Sequence, residues 1–86
     1  MNMMKAAIAW VKRGETAHDV LQVIPDTDWK GKGLSYDLFT AYEPKPEYLG
    51  RILFDDEGYW IYDGDVLTIA EEEQVARFII NYVDKL

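Results

Sequence analysis

The sequence predicts an α+β fold, in which a three-stranded antiparallel β-meander is combined with a long C-terminal helix and N-terminal helical segments, in the order α-α-β-β-β-α. Three apolar runs between residues 34 and 63 are separated by turn-forming residues, which is typical of a meander. Near the C-terminus, apolar residues recur at helical spacing. At 86 residues, the chain is expected to form one small globular domain over residues 1–86.

The first predicted helix spans residues 4–13. Apolar side chains recur there at the i, i+3, i+4 and i+7 spacing of one helix face, namely Met4, Ala7, Ile8 and Val11. Gly14 follows as a natural C-terminal stop. The alternative is an additional strand over residues 6–11, because Ile8 and Trp10 could share one face of a sheet.

A second short helix is predicted between Thr16 and Pro25. Thr16 and Asp19 resemble a capping box, and they begin an apolar stripe at helical spacing, formed by Ala17, Val20, Leu21 and Ile24. Pro25 ends this helix. Residues 25–33 contain two glycines among turn-forming residues and are predicted to be a loop.

The three predicted strands cover residues 34–42, about 48–54 and about 59–63. Asp55 to Gly58 would form the turn between the last two strands, and a turn with an even number of residues places Phe54 opposite Tyr59. This register puts Ile52, Phe54, Tyr59 and Ile61 on one face and Arg51, Leu53, Trp60 and Tyr62 on the other.

The C-terminal helix has the clearest start signal. Thr68 and Glu71 form a capping box, and the acidic residues that follow suit a helix N-terminus. Its apolar face is wide and consists of Val75, Phe78, Ile79, Tyr82, Val83 and Leu86. We expect this helix to pack on the face of Phe54, Tyr59 and Ile61.

The composition limits the class of partner. The formal charge is −7, and the acidic excess lies in residues 34–86, so direct nucleic-acid binding is disfavoured because that affinity depends on Lys and Arg. There is no cysteine, no stretch of 18 apolar residues and no visible signal peptide. These features favour a cytoplasmic protein that contacts no membrane.

No catalytic, cofactor or metal site is expected. His18 is the only histidine, and no nucleophile or orienting acid is matched to it. The acidic groups at residues 55–57 and 63–65 would lie at opposite ends of one hairpin, too far apart to share an ion. The loop at residues 29–33 combines an aromatic residue with lysines but lacks the spacing of a phosphate-binding loop.

The leading functional hypothesis is a non-enzymatic protein-binding or regulatory module that acts through an aromatic sheet face. The predicted contact residues are Phe39, Arg51, Leu53, Trp60 and Tyr62, because Trp, Tyr and Arg are enriched in interface hot spots. The partner would be another protein or a second copy of this chain. The competing interpretation is that the N-terminal helices cover this face and make it ordinary core.

Two other hypotheses follow from the acidity. An acidic inhibitor that mimics a nucleic acid would need one continuous acidic face, with Glu43, Glu47, Asp55, Asp56, Glu71, Glu72 and Glu73 in line. A small metal-binding protein or enzyme would need a cleft that brings His18 or several carboxylates together.

Overall fold

The computed structural model describes residues 5–12 and 18–84. These residues form five strands and one helix, namely β1 (Ala7–Lys12), β2 (His18–Pro25), β3 (Leu34–Thr40), β4 (Tyr48–Phe54), β5 (Trp60–Asp63) and α1 (Ile69–Asp84). The strands make one antiparallel sheet in the order β1-β2-β3-β4-β5, so each strand pairs with its neighbour in the sequence. The helix α1 packs on one face of this sheet, here called the covered face, and the opposite side is the open face.

The predicted N-terminal helices are wrong, because β1 and β2 take their place as an antiparallel pair in which Ala9 lies opposite Leu21. Alternate residues of both strands are buried, which is the period of a half-buried strand. The segments are rich in valine and isoleucine, whose branched side chains favour strands over helices. Gly14 and Thr16, which supported the helices, lie outside the described residues.

The three-stranded meander is therefore wrong as well, since the sheet has five strands. The three predicted strands overlap β3, β4 and β5. The alternative strand over residues 6–11 overlaps β1 and is offset from it by one residue.

The predicted register of β4 and β5 is also wrong by one residue. Phe54 lies opposite Trp60, and Ile52 lies opposite Tyr62. The cause is an odd-numbered turn, in which the Asp55 N–H donates to the Tyr59 carbonyl at 2.9 Å across a three-residue loop. A glycine with positive φ closes such loops, and Gly58 has φ 89°. Because neighbouring side chains alternate between faces, this slip exchanges the two faces of β5.

The core lies between the covered face and α1. Its buried apolar members are Ala9, Val11, Leu21, Val23, Tyr36, Leu38, Leu49, Ile52, Phe54, Val75, Ala76 and Ile79. Trp60 and Tyr62 pack against this core from β5. The helix was expected to rest on Tyr59 and Ile61 together with Phe54, but only Phe54 is buried with it, because of the register slip.

The C-terminal helix itself is confirmed. The Thr68 N–H donates to Glu71 Oε1 at 3.0 Å, and the Glu71 N–H donates to Thr68 Oγ1 at 3.2 Å, which completes the capping box. Val75 and Ile79 are buried, whereas Leu86 lies outside the described residues. At 16 residues, the one helix of the described chain is too short to cross a membrane.

Candidate protein-binding face

The open face is formed by alternate residues of all five strands, and none of the described helical residues covers it. Its members are Ile8, Trp10, Lys12, His18, Val20, Gln22, Ile24, Ser35, Asp37, Phe39, Tyr48, Arg51, Leu53, Ile61 and Asp63. Several large apolar side chains remain accessible, with Trp10 65 % exposed and Ile61 62 % exposed. Large apolar side chains left accessible on a sheet face are a common mark of a protein–protein contact.

The structure separates the predicted contact residues into two groups. Phe39, Arg51 and Leu53 lie on the open face. Trp60 and Tyr62 lie on the covered face and pack against the core, because of the odd-numbered turn before β5. The proposed aromatic surface therefore keeps three of its five predicted members.

The centre of the open face carries a row of charges across three strands. Arg51 on β4 lies opposite Asp37 on β3 and opposite Asp63 on β5. Its Nε is 3.8 Å from Asp63 Oδ2, and its Cζ lies 5.6 Å from the centroid of the Trp29 ring. The guanidinium thus has a carboxylate on each neighbouring strand and a tryptophan ring within cation–π distance, and these contacts restrict its position.

The same row alters the protonation of its members. Burial raises the pKa of Asp37 above the usual range of an aspartate, and the nearby Asp26 carboxylate raises it further, whereas Arg51 opposes this change. The pKa of Arg51 is raised above its ordinary value, first by a side-chain hydrogen bond with Tyr48 and further by the carboxylates on either side. The guanidinium therefore stays charged.

Trp29 reaches the open face from the loop between β2 and β3. Asp26 shapes this loop, since its Oδ1 accepts from the Asp28 N–H at 3.0 Å and its carbonyl accepts from the Trp29 N–H at 3.3 Å. Trp29 Nε1 donates to the Lys32 carbonyl at 3.3 Å. The tryptophan forms one wall of a mostly apolar groove of about 270 Å³, with Leu53 and Ile61 among the other lining residues.

A larger cavity of about 630 Å³ lies at the end of the sheet where β2 begins. Its lining includes His18, Asp19, Glu43, Glu47 and Glu71 beside apolar side chains. In residues 5–12 and 18–84, no three His, Asp or Glu side chains are grouped so that they could hold a metal ion. The Glu71 carboxylate is already engaged in the capping box.

The acidic residues considered for nucleic-acid mimicry fall into different parts of the fold. Glu43 and Glu47 lie before β4, whereas Asp55 and Asp56 follow it, so the length of this strand separates the two pairs. Glu43, Glu47 and Glu71 line the same cavity, and Glu71 is only 5 % exposed. Nucleic-acid mimicry stays a prediction, because it depends on how these carboxylates align on the surface.

Sequence reasoning missed several members and neighbours of the open face. Ile8 and Trp10 were assigned first to a helix, and their alternation with three small or branched residues supported only the alternative strand. Tyr59 and Ile61 were placed on the wrong side, and only the parity of the turn could have corrected this. Comparison of the chain with known protein families, curated proteins and solved structures found no match, so the function is argued from this face alone.

Proposed function

We propose that this protein is a binding module that recognises another protein through the open face and acts by contact rather than by catalysis. The observation that carries the proposal is the accessible apolar side chains on both sides of Arg51. Arg51 supplies a positive charge at the centre of the face. Trp10 and Ile61 supply exposed apolar surface at its two edges, which a partner would bury. We further propose that it acts in the cytoplasm, since a small domain without cysteine needs no oxidising compartment.

The composition of the face supports recognition of protein rather than of nucleic acid. The row of Asp37, Arg51 and Asp63 has more acid than base, and the whole chain has a formal charge of −7. Phosphate backbones would be repelled, whereas a partner with apolar side chains and a basic rim would be attracted. The groove beside Trp29 is suited to one apolar side chain of such a partner.

The test compares the same substitution at two exposed isoleucines. Ile61→Lys places a charge on the open face, and Ile69→Lys places it on α1, where the isoleucine is 74 % exposed. Proteins retained from a cell lysate by each immobilised variant are quantified by mass spectrometry, and the affinity of the purified partner is then measured by calorimetry. We expect Ile69→Lys to bind like the wild type and Ile61→Lys to bind at least about tenfold more weakly.

Both variants must fold for this comparison, which a urea unfolding curve establishes. Equal affinity of a purified partner for all three chains would contradict the proposal. So would the absence of any protein that the wild type retains more strongly than an uncoated support.

A further inference from the structure

The outer strand β1 has one side that is not paired with another strand. At its end, the Lys12 N–H donates to Gln74 Oε1 at 2.7 Å, and Gln74 Nε2 donates to the Lys12 carbonyl at 2.9 Å. The N–H and C=O groups of alternate residues in a strand point to the same side. The backbone groups of Ile8 and Trp10 therefore point to the same free edge as those of Lys12. No partner for them exists among the described residues.

The other outer strand is protected in a way that β1 is not. β5 has only four residues, and it lies between the acidic turn at residues 55–57 and the acidic pair Asp63 and Asp65. Short strands flanked by charges resist pairing at their edge. β1 has six residues, and residues 5–12 contain no acidic side chain. Its accessible apolar side chains on the open face are Ile8 and Trp10.

We propose that two copies of this chain pair antiparallel along β1, about a two-fold axis that passes between their Ala9 residues. Ile8 of each copy then lies opposite Trp10 of the second copy, and each of these pairs exchanges two backbone hydrogen bonds. The pairing stops at Lys12, whose backbone groups are already held by Gln74. The two five-stranded sheets become one continuous sheet with a joint open face.

A second copy suits this edge better than an unrelated extended segment. The two-fold arrangement satisfies the free groups of Ile8 and Trp10 in both copies at once, which is the self-complementarity that such an interface requires. Copies with a charge of −7 repel one another at long range, but residues 5–12 carry Lys5 and Lys12 and add no carboxylate to the contact. Ala9 is small enough for the two backbones to approach on the covered face.

The first test measures the mass in solution by light scattering. We expect the wild type to show about twice the 10.0 kDa of one chain at high concentration. Trp10→Lys places a charge on the paired edge and should give a folded monomer. The matched control is Ile61→Lys, which makes the same kind of change on the other outer strand and should remain a dimer.

The second test reports the register. Opposed Ala9 residues would form a non-hydrogen-bonded pair with Cα atoms about 4.5 Å apart, a separation that a disulfide can bridge. The chain has no other cysteine, so Ala9→Cys should form a covalent dimer on mild oxidation. Ala7→Cys is the control on the same strand and face, because its two thiols would be about 13 Å apart along the strands.

A wild type that stays monomeric at about 1 mM would overturn the proposal, because a useful self-contact should be populated there. Loss of the dimer in Ile61→Lys but not in Trp10→Lys would also overturn it, as would equal cross-linking of the two cysteine variants. These outcomes are separate from those for partner binding, which depend on Ile61 and Ile69.

Discussion

The Tyr62 hydroxyl connects three backbone positions that are separate in sequence. It donates to the Leu49 carbonyl in β4 and accepts from the N–H groups of Val66 and Leu67, each at 3.2 Å. The residues between β5 and α1 are thereby fastened to the end of the sheet. A side chain that sequence reasoning assigned to a binding surface is therefore part of the internal framework.

Removing this hydroxyl should destabilise the fold. We predict that Tyr62→Phe lowers the free energy of unfolding by about 1–3 kcal/mol, because a partly buried carbonyl loses its donor and two N–H groups lose their acceptor. Urea unfolding monitored by tryptophan fluorescence measures this change. Tyr59→Phe is the control at a side chain that is 72 % exposed, and a cost as large as that of Tyr62→Phe would contradict the prediction.

Asp37 gives the stability a pH dependence with a defined sign. Burial, with the Asp26 carboxylate, raises its pKa in the folded chain, so the folded state holds a proton that the unfolded state has already released. The contribution of Asp37 to stability must therefore fall as the pH rises from the ordinary aspartate pKa to the raised one. We predict that Asp37→Asn gains stability relative to the wild type across this window.

Urea midpoints of both chains between about pH 3 and pH 7 test this prediction, since an unperturbed aspartate titrates near pH 3.9. The difference between Asp37→Asn and the wild type should grow through the lower part of this range and then level off. A difference that stays constant, or that changes in the opposite direction, would show that the charged form of Asp37 is not disfavoured by folding.

At the scale of elements, Gln74 acts on β1 as a very short additional strand. Its side-chain amide makes the two hydrogen bonds to Lys12 that a neighbouring strand would make. The helix that covers the core thus also closes one end of an outer strand. None of the described residues pairs with the rest of that edge at Ile8 and Trp10, so the helix limits how far any pairing along β1 can extend.

Gln74→Ala should open this end. We predict that exchange of the Lys12 amide hydrogen, followed by NMR, becomes at least about tenfold faster, because its acceptor is lost and the site is exposed. Glu73→Ala, one residue away on an exposed part of the helix, should leave the rate unchanged. Equal exchange of Lys12 in the wild type and Gln74→Ala would mean that this hydrogen bond does not persist in solution.

The elements differ in how far their sequences determine them. Thr68 and Glu71 form the start of α1 as expected, since a capping box is a local signal that needs no distant partner. β1 and β2 could not be recognised in this way, because short apolar segments fit a helix or a strand until their pairing is known. In β5, the sheet face on which each side chain lies depends on whether the preceding turn has an odd or an even number of residues.

The sequence predicted the candidate site only in part, as it did the elements. Arg51, Leu53 and Phe39 lie on strands whose alternation is regular, and they were placed together on one face in agreement with the structure. Trp10 belongs to a strand that was assigned as helix, and Ile61 follows the odd-numbered turn. The residues that were missed are those whose side depends on pairing between segments.

At the scale of the whole molecule, the C-terminal helix packs against the first strand of the sheet. The main contact of α1 with the strands is at β1, although four further strands separate them in the sequence. Val75, Ala76 and Ile79 of the helix complete one core with residues from β1 to β4. Each strand pairs with its neighbour in the sequence, but the covered face of the sheet is shielded from solvent only when the helix packs on it.

The sheet and the helix should therefore unfold together. We predict one transition with coincident fluorescence and circular dichroism curves, and a loss of about 2–5 kcal/mol in Ile79→Ala, which would remove much of the stability of a small domain. The neighbouring Ile80→Ala is the control at a side chain that is 39 % exposed and should cost far less. Separate transitions for the helix and the sheet would contradict this cooperativity.

The position of α1 after the sheet has a consequence for synthesis on the ribosome. All five strands are translated before the helix that covers them. Both faces of the sheet are therefore exposed to solvent until α1 has been synthesised. During that interval, the side later buried by α1 is a surface that chaperones can bind. A slow codon or a stall within residues 69–84 would prolong the exposure of this face. The same delay before β3 would expose only the two strands β1 and β2, which do not yet form a stable sheet.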